Sequence, residues 1–205
     1  MTCPCSRRAL LAACGAAMTA CTLGGCGEVP SKAGAGTPSD LRFAFWFETS
    51  RCIACASCVA ACREKSGTPE GARARRHVLL YRFADGRERF LSYSCMHCEE
   101  PACVRVCPAG AISKGESGAV LADKDRCIGC KYCHQACPFH VPEYLPEGMD
   151  KCDLCLGAGV PLGDAPACVA ACPTRALHYG TLPELIRQSG TNPMNAPGGP
   201  SFIVT

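Results

Sequence analysis

A chain of 205 residues whose 48% hydrophobic content is inflated by 21 cysteines, with only 6% aromatics against 21 Gly and 16 Pro, has few large apolar side chains from which to build a core. That excludes an ordinary close-packed globule and points to a loop-rich α+β fold held by covalent or metal bonds. The formal net charge is +3 and no basic run is dense enough for a nucleic-acid footprint, so nucleic acid is not an expected partner.

The sequence opens with "MTCPCSRRALLAACGAAMTACTLGGCGEVP". Arg7-Arg8, an Ala- and Leu-rich run and then small residues give residues 1–25 the look of a twin-arginine export signal, which is set apart from fold reasoning. The run from Ala9 to Leu23 is shorter than the roughly 20 apolar residues that cross a bilayer. "LGGC", Leu23 to Cys26, resembles a lipobox and makes Cys26 a candidate lipid-attachment site, with Cys21 as competitor. Residues 26–40 read as a Gly/Pro/Ser linker. The expected location is the outer face of the cytoplasmic membrane.

"FAFWF", Phe43 to Phe47, reads as a strand, and "CIACASCVAAC" follows with Cys52, Cys55, Cys58 and Cys62. The basic run Arg73 to His77 is expected to be a solvated face. "VLLYRFADGRERFLSYS", Val78 to Ser94, reads as two strands around an Asp85-Gly86 turn. The second cysteine group, "CMHCEEPACVRVCP", supplies Cys95, Cys98, Cys103 and Cys107. Short strands at Ala111 and Ala119 flank a turn over 114–118 and lead to "CIGCKYCHQACP", with Cys127, Cys130, Cys133 and Cys137. "CDLCLGAGVPLGDAPACVAACP" closes the series with Cys152, Cys155, Cys168 and Cys172. Each group is expected to end in a single helical turn, after which Pro108, Pro138 and Pro173 direct the chain away.

A zinc site takes paired cysteines from separate loops, and a disulfide framework is the other reading of a cysteine-rich exported chain. Neither accounts for the full run CxxCxxCxxxCP, which holds iron-sulfur cubes and whose fourth cysteine ligates the neighbouring cluster. Sixteen cysteines in four groups supply four 4Fe-4S clusters. By the swapped-ligand rule cluster 1 takes Cys52, Cys55, Cys58 and Cys172; cluster 2 takes Cys95, Cys98, Cys103 and Cys137. Cluster 3 takes Cys127, Cys130, Cys133 and Cys107; cluster 4 takes Cys152, Cys155, Cys168 and Cys62. The fold expected is two interleaved ferredoxin-like two-cubane modules: an outer one over 41–92 and 150–190, an inner one over 93–149, and a tail over 191–205. A bead-like pairing of group one with two and three with four is the alternative, disfavoured by 32 residues between Cys62 and Cys95 against 19 between Cys107 and Cys127. Loss of Arg7 and Arg8 with the leader lowers the charge of +3 to +1, and four clusters at about −2 each bring the holoprotein to about −7.

At "RCIACASCVAACR", "SCMHCEEPACVRVCPAGAI", "DRCIGCKYCHQACPF", "MDKCDLC", "PACVAACPTRAL" and the tail "GPSFIVT" the sequence resembles the iron-sulfur (B) subunits of the molybdopterin oxidoreductase family, notably those of dimethyl sulfoxide reductases. The resemblance spans about Leu41 to Thr205 and implies the interleaved pairing. Nitrate reductase relatives commonly carry tryptophan at the position of Cys130, so Cys130 implies a complete cube. Formate dehydrogenase relatives often add a C-terminal membrane helix, which "NPMNAPGGPSFIVT" lacks. His140 and Val141 depart from the family's Gly-containing run after the third group. The resemblance implies a non-catalytic electron-transfer subunit in anaerobic respiration, relaying single electrons between a quinol-linked membrane subunit or other donor and a molybdopterin-containing catalytic subunit. A self-standing exported polyferredoxin is the alternative, and no catalytic residue is expected. His97 and His134 read as spacers beside the ligands; Arg126, Lys131 and Lys151 either raise local potentials or face solvent, and Tyr132, Phe139 and Tyr144 fill the core.

Overall fold

The computed structural model describes residues 42–205 apart from residue 116. The expected signal over 1–25, the candidate lipid site at Cys26 and the linker over 26–40 lie outside the described residues. In chain order the strands are β1 (Phe43–Phe47), β2 (His77–Arg82), β3 (Glu88–Tyr93), β4 (Ile112–Lys114), β5 (Val120–Ala122), β6 (Glu143–Leu145), β7 (Gly148–Asp150), β8 (Leu177–Thr181) and β9 (Phe202–Val204). The helices are α1 (Ser57–Ser66), α2 (Ala102–Arg105), α3 (Tyr132–Ala136), α4 (Ala167–Ala170) and α5 (Leu182–Ser189).

The run Phe43–Phe47 is apolar at every position because β1 is covered on both faces. It is the central strand of a three-stranded sheet, antiparallel to β8 and parallel to β9. Alternation sends Phe45 and Phe47 into the cluster of buried residues that contains Cys62, Cys152 and Cys168, and sends Ala44 to the other face, against Leu182, Leu185 and Ile203. Each large side chain fully buried this way stabilises by about 1.5–3 kcal/mol. α5 is held on that second face by its amphipathic pattern. Its first turn is fixed by Glu184, whose Oε2 accepts from the Thr181 N–H at 3.2 Å and from Thr181 Oγ1 at 2.7 Å.

Residues 191–205, expected as a tail, return to the core. Phe202 pairs with Phe45 and Ile203 with Trp46, and the segment before them lies along the second cysteine loop: Glu99 N–H donates to Gly199 O at 2.8 Å and Ser201 N–H to Met96 O at 2.8 Å. Gly198 is needed there. Its φ is +85°, and a Cβ would stand 3.1 Å from Glu100 O and 3.6 Å from Cys98 Sγ.

Two-stranded antiparallel ribbons form elsewhere, β2 with β3, β4 with β5 and β6 with β7. The β2–β3 turn places Gly86 at φ +82° after Asp85, in keeping with the Asp-Gly signal. Group one departs from expectation: α1 runs ten residues rather than a single turn. Cys62 is followed by Arg63 and not by proline, so nothing stops the helix until Gly67. α1 packs against α4, and α2 against α3. Among the described residues no helix is long and apolar enough to cross a membrane.

Of the basic run 73–77, expected to be a solvated face, only Arg73 is exposed. Arg73 reaches Glu143 and Tyr93; Arg75 is gripped by Asp150 through two bonds of 2.8 Å and by Asp153 at 3.0 Å; Arg76 is 1% exposed. His77 packs on Tyr93 with its Nε2 buried and unpartnered. Burial, then Arg73 and Arg76, pushes its pKa down to about 4. The folded state therefore favours neutral His77, a contribution that is complete above the usual 6.5 and lost as pH falls from 6.5 towards 4. The temperature at which the holoprotein releases iron should fall between about pH 7.5 and about pH 5, and fall less in His77→Gln.

Candidate metal centres

All sixteen cysteines among the described residues are free. They are not scattered. Cys52, Cys55, Cys58 and Cys172 line one cavity; Cys62, Cys152, Cys155 and Cys168 line a second; Cys107, Cys127, Cys130 and Cys133 line a third. The remaining four are also neighbours: burial, then Cys95 and Cys137, raises the Cys98 thiol to about 11, and burial, Cys95, Cys137 and Cys98 carry Cys103 to about 12 against the pull of Lys151. α1 against α4 brings groups one and four together, and α2 against α3 does so for groups two and three.

The loops between the cysteines are bent in one repeated way. Ala54 and Ala56 in group one, His97 in group two, Lys131 in group three, and Leu154 and Cys155 in group four all have positive φ, between 43° and 64°. Gly129 joins them at 67°. A second set follows the Cys-Pro steps, at Gly110, His140 and Arg175. Every non-glycine residue of positive φ among the described residues is one of these. Left-handed backbone costs such residues about 1–2 kcal/mol each, so the strain is concentrated where the backbone must curl around something. Alternating right- and left-handed residues turn successive N–H groups inward and make the anion-binding concavity found at iron-sulfur sites.

Amide and hydroxyl groups already point at sulfur. Ala111 N–H lies 3.3 Å from Cys107 Sγ and Ala176 N–H 3.3 Å from Cys172 Sγ, each just beyond a Cys-Pro turn. Tyr144 Oη is 3.0 Å from Cys133 Sγ and Ser92 Oγ is 3.4 Å from Cys58 Sγ. At Cys172 burial pushes the thiol up, but the Leu177 and Ala176 N–H groups and the Thr174 hydroxyl outweigh it and bring the pKa down. At Cys62 and Cys152 burial wins, lifting the thiols to about 11 and about 12. Such thiols lose their protons at neutral pH when a metal takes their place.

These features fit 4Fe-4S groups and do not fit zinc or disulfides. Among the described residues no three Cys, His, Asp or Glu side chains converge closely enough to hold a single ion. The sulfurs stand around a space, whereas zinc draws its thiolates to a point about 2.3 Å away. His134 spends its Nδ1 on Pro142 O at 2.8 Å. His97 is 1% exposed, with Nδ1 accepting from Val120 N–H at 2.9 Å; neither is drawn into a ligand set. Tyr144 lies against the third cavity, and Lys151, whose place the sequence leaves open, is buried, its Nζ on Val120 O and Cys152 O.

The 4Fe-4S dicluster domain matches this protein twice, over residues 44–108 and 87–182. The probable anaerobic dimethyl sulfoxide reductase chain YnfG of Escherichia coli (strain K12) is 41% identical over 172 residues, 76% of this chain and 82% of that protein. The protein is a member of the dimethyl sulfoxide reductase family of 4Fe-4S electron-transfer subunits. Similarity extends to the B subunit of the anaerobic dimethyl sulfoxide reductase of Haemophilus influenzae, 36% identical over 178 residues (79% of this sequence, 85% of that one). It also reaches the thiosulfate reductase electron transfer subunit PhsB of Salmonella typhi, 41% identical over 149 residues (70% and 78%). The family resemblance read from the cysteine runs is thus borne out. Both domain matches run in sequence order, whereas the cavities join groups one with four and two with three.

Proposed function

We propose that the protein relays single electrons through four 4Fe-4S clusters between a molybdopterin-containing catalytic subunit and a quinol-linked membrane subunit or other donor. One observation carries the reading: the free cysteines gather in fours, three from one sequence group and one from another. It supports cluster 1 on Cys52, Cys55, Cys58 and Cys172, cluster 2 on Cys95, Cys98, Cys103 and Cys137, cluster 3 on Cys127, Cys130, Cys133 and Cys107, and cluster 4 on Cys152, Cys155, Cys168 and Cys62. Bound there, each cluster supplies a one-electron carrier.

The protein's own residues do the rest. Ala111 and Ala176 N–H groups and the Tyr144 and Ser92 hydroxyls donate to sulfur, which favours the more negative, reduced state. Phe45, Phe47, Met96 and Met149 keep water out. Cys152 feels Cys95, and Cys58 feels Cys168, so the set of group four neighbours both that of group two and that of group one. The series then has two ends. Cys55 of group one and Cys130 of group three are the exposed thiols, each beside an exposed isoleucine, Ile53 and Ile128; these are the surfaces to which partners with redox centres would dock.

Anaerobically purified protein should be brown, with about sixteen iron and sixteen sulfide per polypeptide. Gentle affinity isolation from native membranes should bring down a large molybdopterin-containing subunit; if it yields none, the subunit reading fails. From Arg7-Arg8 and "LGGC" we further propose twin-arginine export, with lipid attachment at Cys26. The mass of the mature N-terminal peptide tests both.

A further inference from the structure

Arg76 is a cation in the interior that no acid pairs: Asp153, which lines the same cavity, is taken by Arg75. It is 1% exposed, and its Cζ lies 4.6 Å from the centre of the Phe45 ring. Nη1 donates to Ser92 Oγ at 3.1 Å and Nη2 to Ser94 Oγ at 3.0 Å, both neutral hydroxyls. Among the described residues it makes no ion pair, whereas its neighbour Arg75 is matched by two carboxylates. A guanidinium does not give up its proton, and an uncompensated buried charge is among the most destabilising things a fold can hold.

The counter-charge must come from what surrounds it, which is sulfur on two sides. Cys62, Cys152 and Cys168 share a cavity with Arg76. On the other side Ser92, which accepts from Nη1, also stands 3.4 Å from Cys58 Sγ and lines the cavity of Cys52, Cys55, Cys58 and Cys172. Iron-bound thiolates bring the negative charge, about −2 for each cluster with its four ligands.

We infer that Arg76 is a positioning residue shared by the clusters of groups one and four, its fixed guanidinium taking counter-charge from both and thereby raising both potentials together. Reduction adds negative charge beside a cation that cannot leave, so each reduced state is stabilised. Because one cation serves both sites, the two potentials rise in step and the exchange of an electron between the sites stays near balance. The inference rests on the proposed cluster assignment.

The test uses anaerobically purified holoprotein. Iron and sulfide are counted first, and potentiometric titration is then followed by electron paramagnetic resonance, with signals assigned from Cys172→Ser and Cys62→Ser variants. In Arg76→Gln the reduced-to-oxidised ratio of clusters 1 and 4, at the wild-type half-reduction potential, is expected to fall at least tenfold, a shift of about 59 mV for a one-electron couple. Clusters 2 and 3 stay in place, and Arg76→Lys keeps most of the wild-type potential. If Arg76→Gln does not retain iron, Ser94→Asp, which sets a carboxylate beside Nη2 and keeps the guanidinium, is expected to lower clusters 1 and 4, and cluster 2 through the adjoining Cys95, with cluster 3 unmoved. Full iron with all four potentials unmoved, or all four displaced alike, overturns the role of Arg76. A wild-type iron count far from four clusters would instead overturn the assignment beneath it.

Discussion

Serine in place of Cys172 is expected to empty the cavity of group one, although Cys172 stands in the last of the four cysteine runs and the other three thiols of that cavity in the first. The sulfur lines the cavity with Cys52, Cys55 and Cys58. It is presented there by the Cys-Pro turn whose N–H at Ala176 lies 3.3 Å away. A hydroxyl at this position is a poor ligand for iron, and a cluster left with three thiolates is exposed at its fourth corner. Iron should fall from about sixteen to about twelve per polypeptide. Which thiols become reactive distinguishes the pairings. Alkylation of the folded variant under anaerobic conditions, read by peptide mass, should label Cys52, Cys55 and Cys58. Labelling of Cys127, Cys130 and Cys133 would establish the bead-like pairing instead, and labelling of Cys152, Cys155 and Cys168 would mean that no ligand is exchanged at all.

The four cysteine runs stand out in the sequence because cluster ligation favours close local spacing: in groups one and three only two residues separate successive members of the first three sulfurs, while groups two and four open one gap, Cys98 to Cys103 and Cys155 to Cys168. The strands β1 to β5 were legible for the usual reasons of apolar runs and an Asp-Gly turn. α1 outran its expected single turn for a reason also present in the sequence, since Cys107, Cys137 and Cys172 are each followed by proline and Cys62 is not. Arg76 and Lys151 were not legible. Arginine and lysine are almost never fully buried unless paired, and nothing local marks these two; what places them inside is Ser92, Ser94 and Val120, which meet them only after the groups have come together. β9 was hidden for a related reason. Phe202, Ile203 and Val204 are good strand formers, but three residues just beyond a Gly-Gly-Pro step are too few to read as a strand alone, and they become one because β1 offers an open edge.

That edge makes Ile203 the second site of large effect. Its side chain is fully buried between Ala44, Leu182 and Leu185, and its backbone lies in register with Trp46. Thr205 N–H donates to Phe47 O at 3.0 Å and Thr49 N–H to Thr205 O at 2.8 Å, so the last residues also secure the exit of β1. Ile203→Ala should cost about 2–5 kcal/mol, the range for large-to-small changes in a core. Ile203→Asp, which buries an unpaired charge, should cost more, enough to threaten a fold whose whole margin is about 5–15 kcal/mol. Val204→Ala, at a half-buried position, serves as the mild comparison. The damage should also be directional. β1 turns Ala44 towards Ile203 but Phe45 and Phe47 towards Cys62, Cys152 and Cys168, so loosening the sheet releases the sulfurs of groups one and four before those gathered by α2 and α3. On slow warming of Ile203→Ala, alkylation should reach Cys52, Cys58, Cys152 and Cys168 at a lower temperature than Cys103, Cys107, Cys127 and Cys133; simultaneous labelling of both halves would show that the sheet has no such local hold.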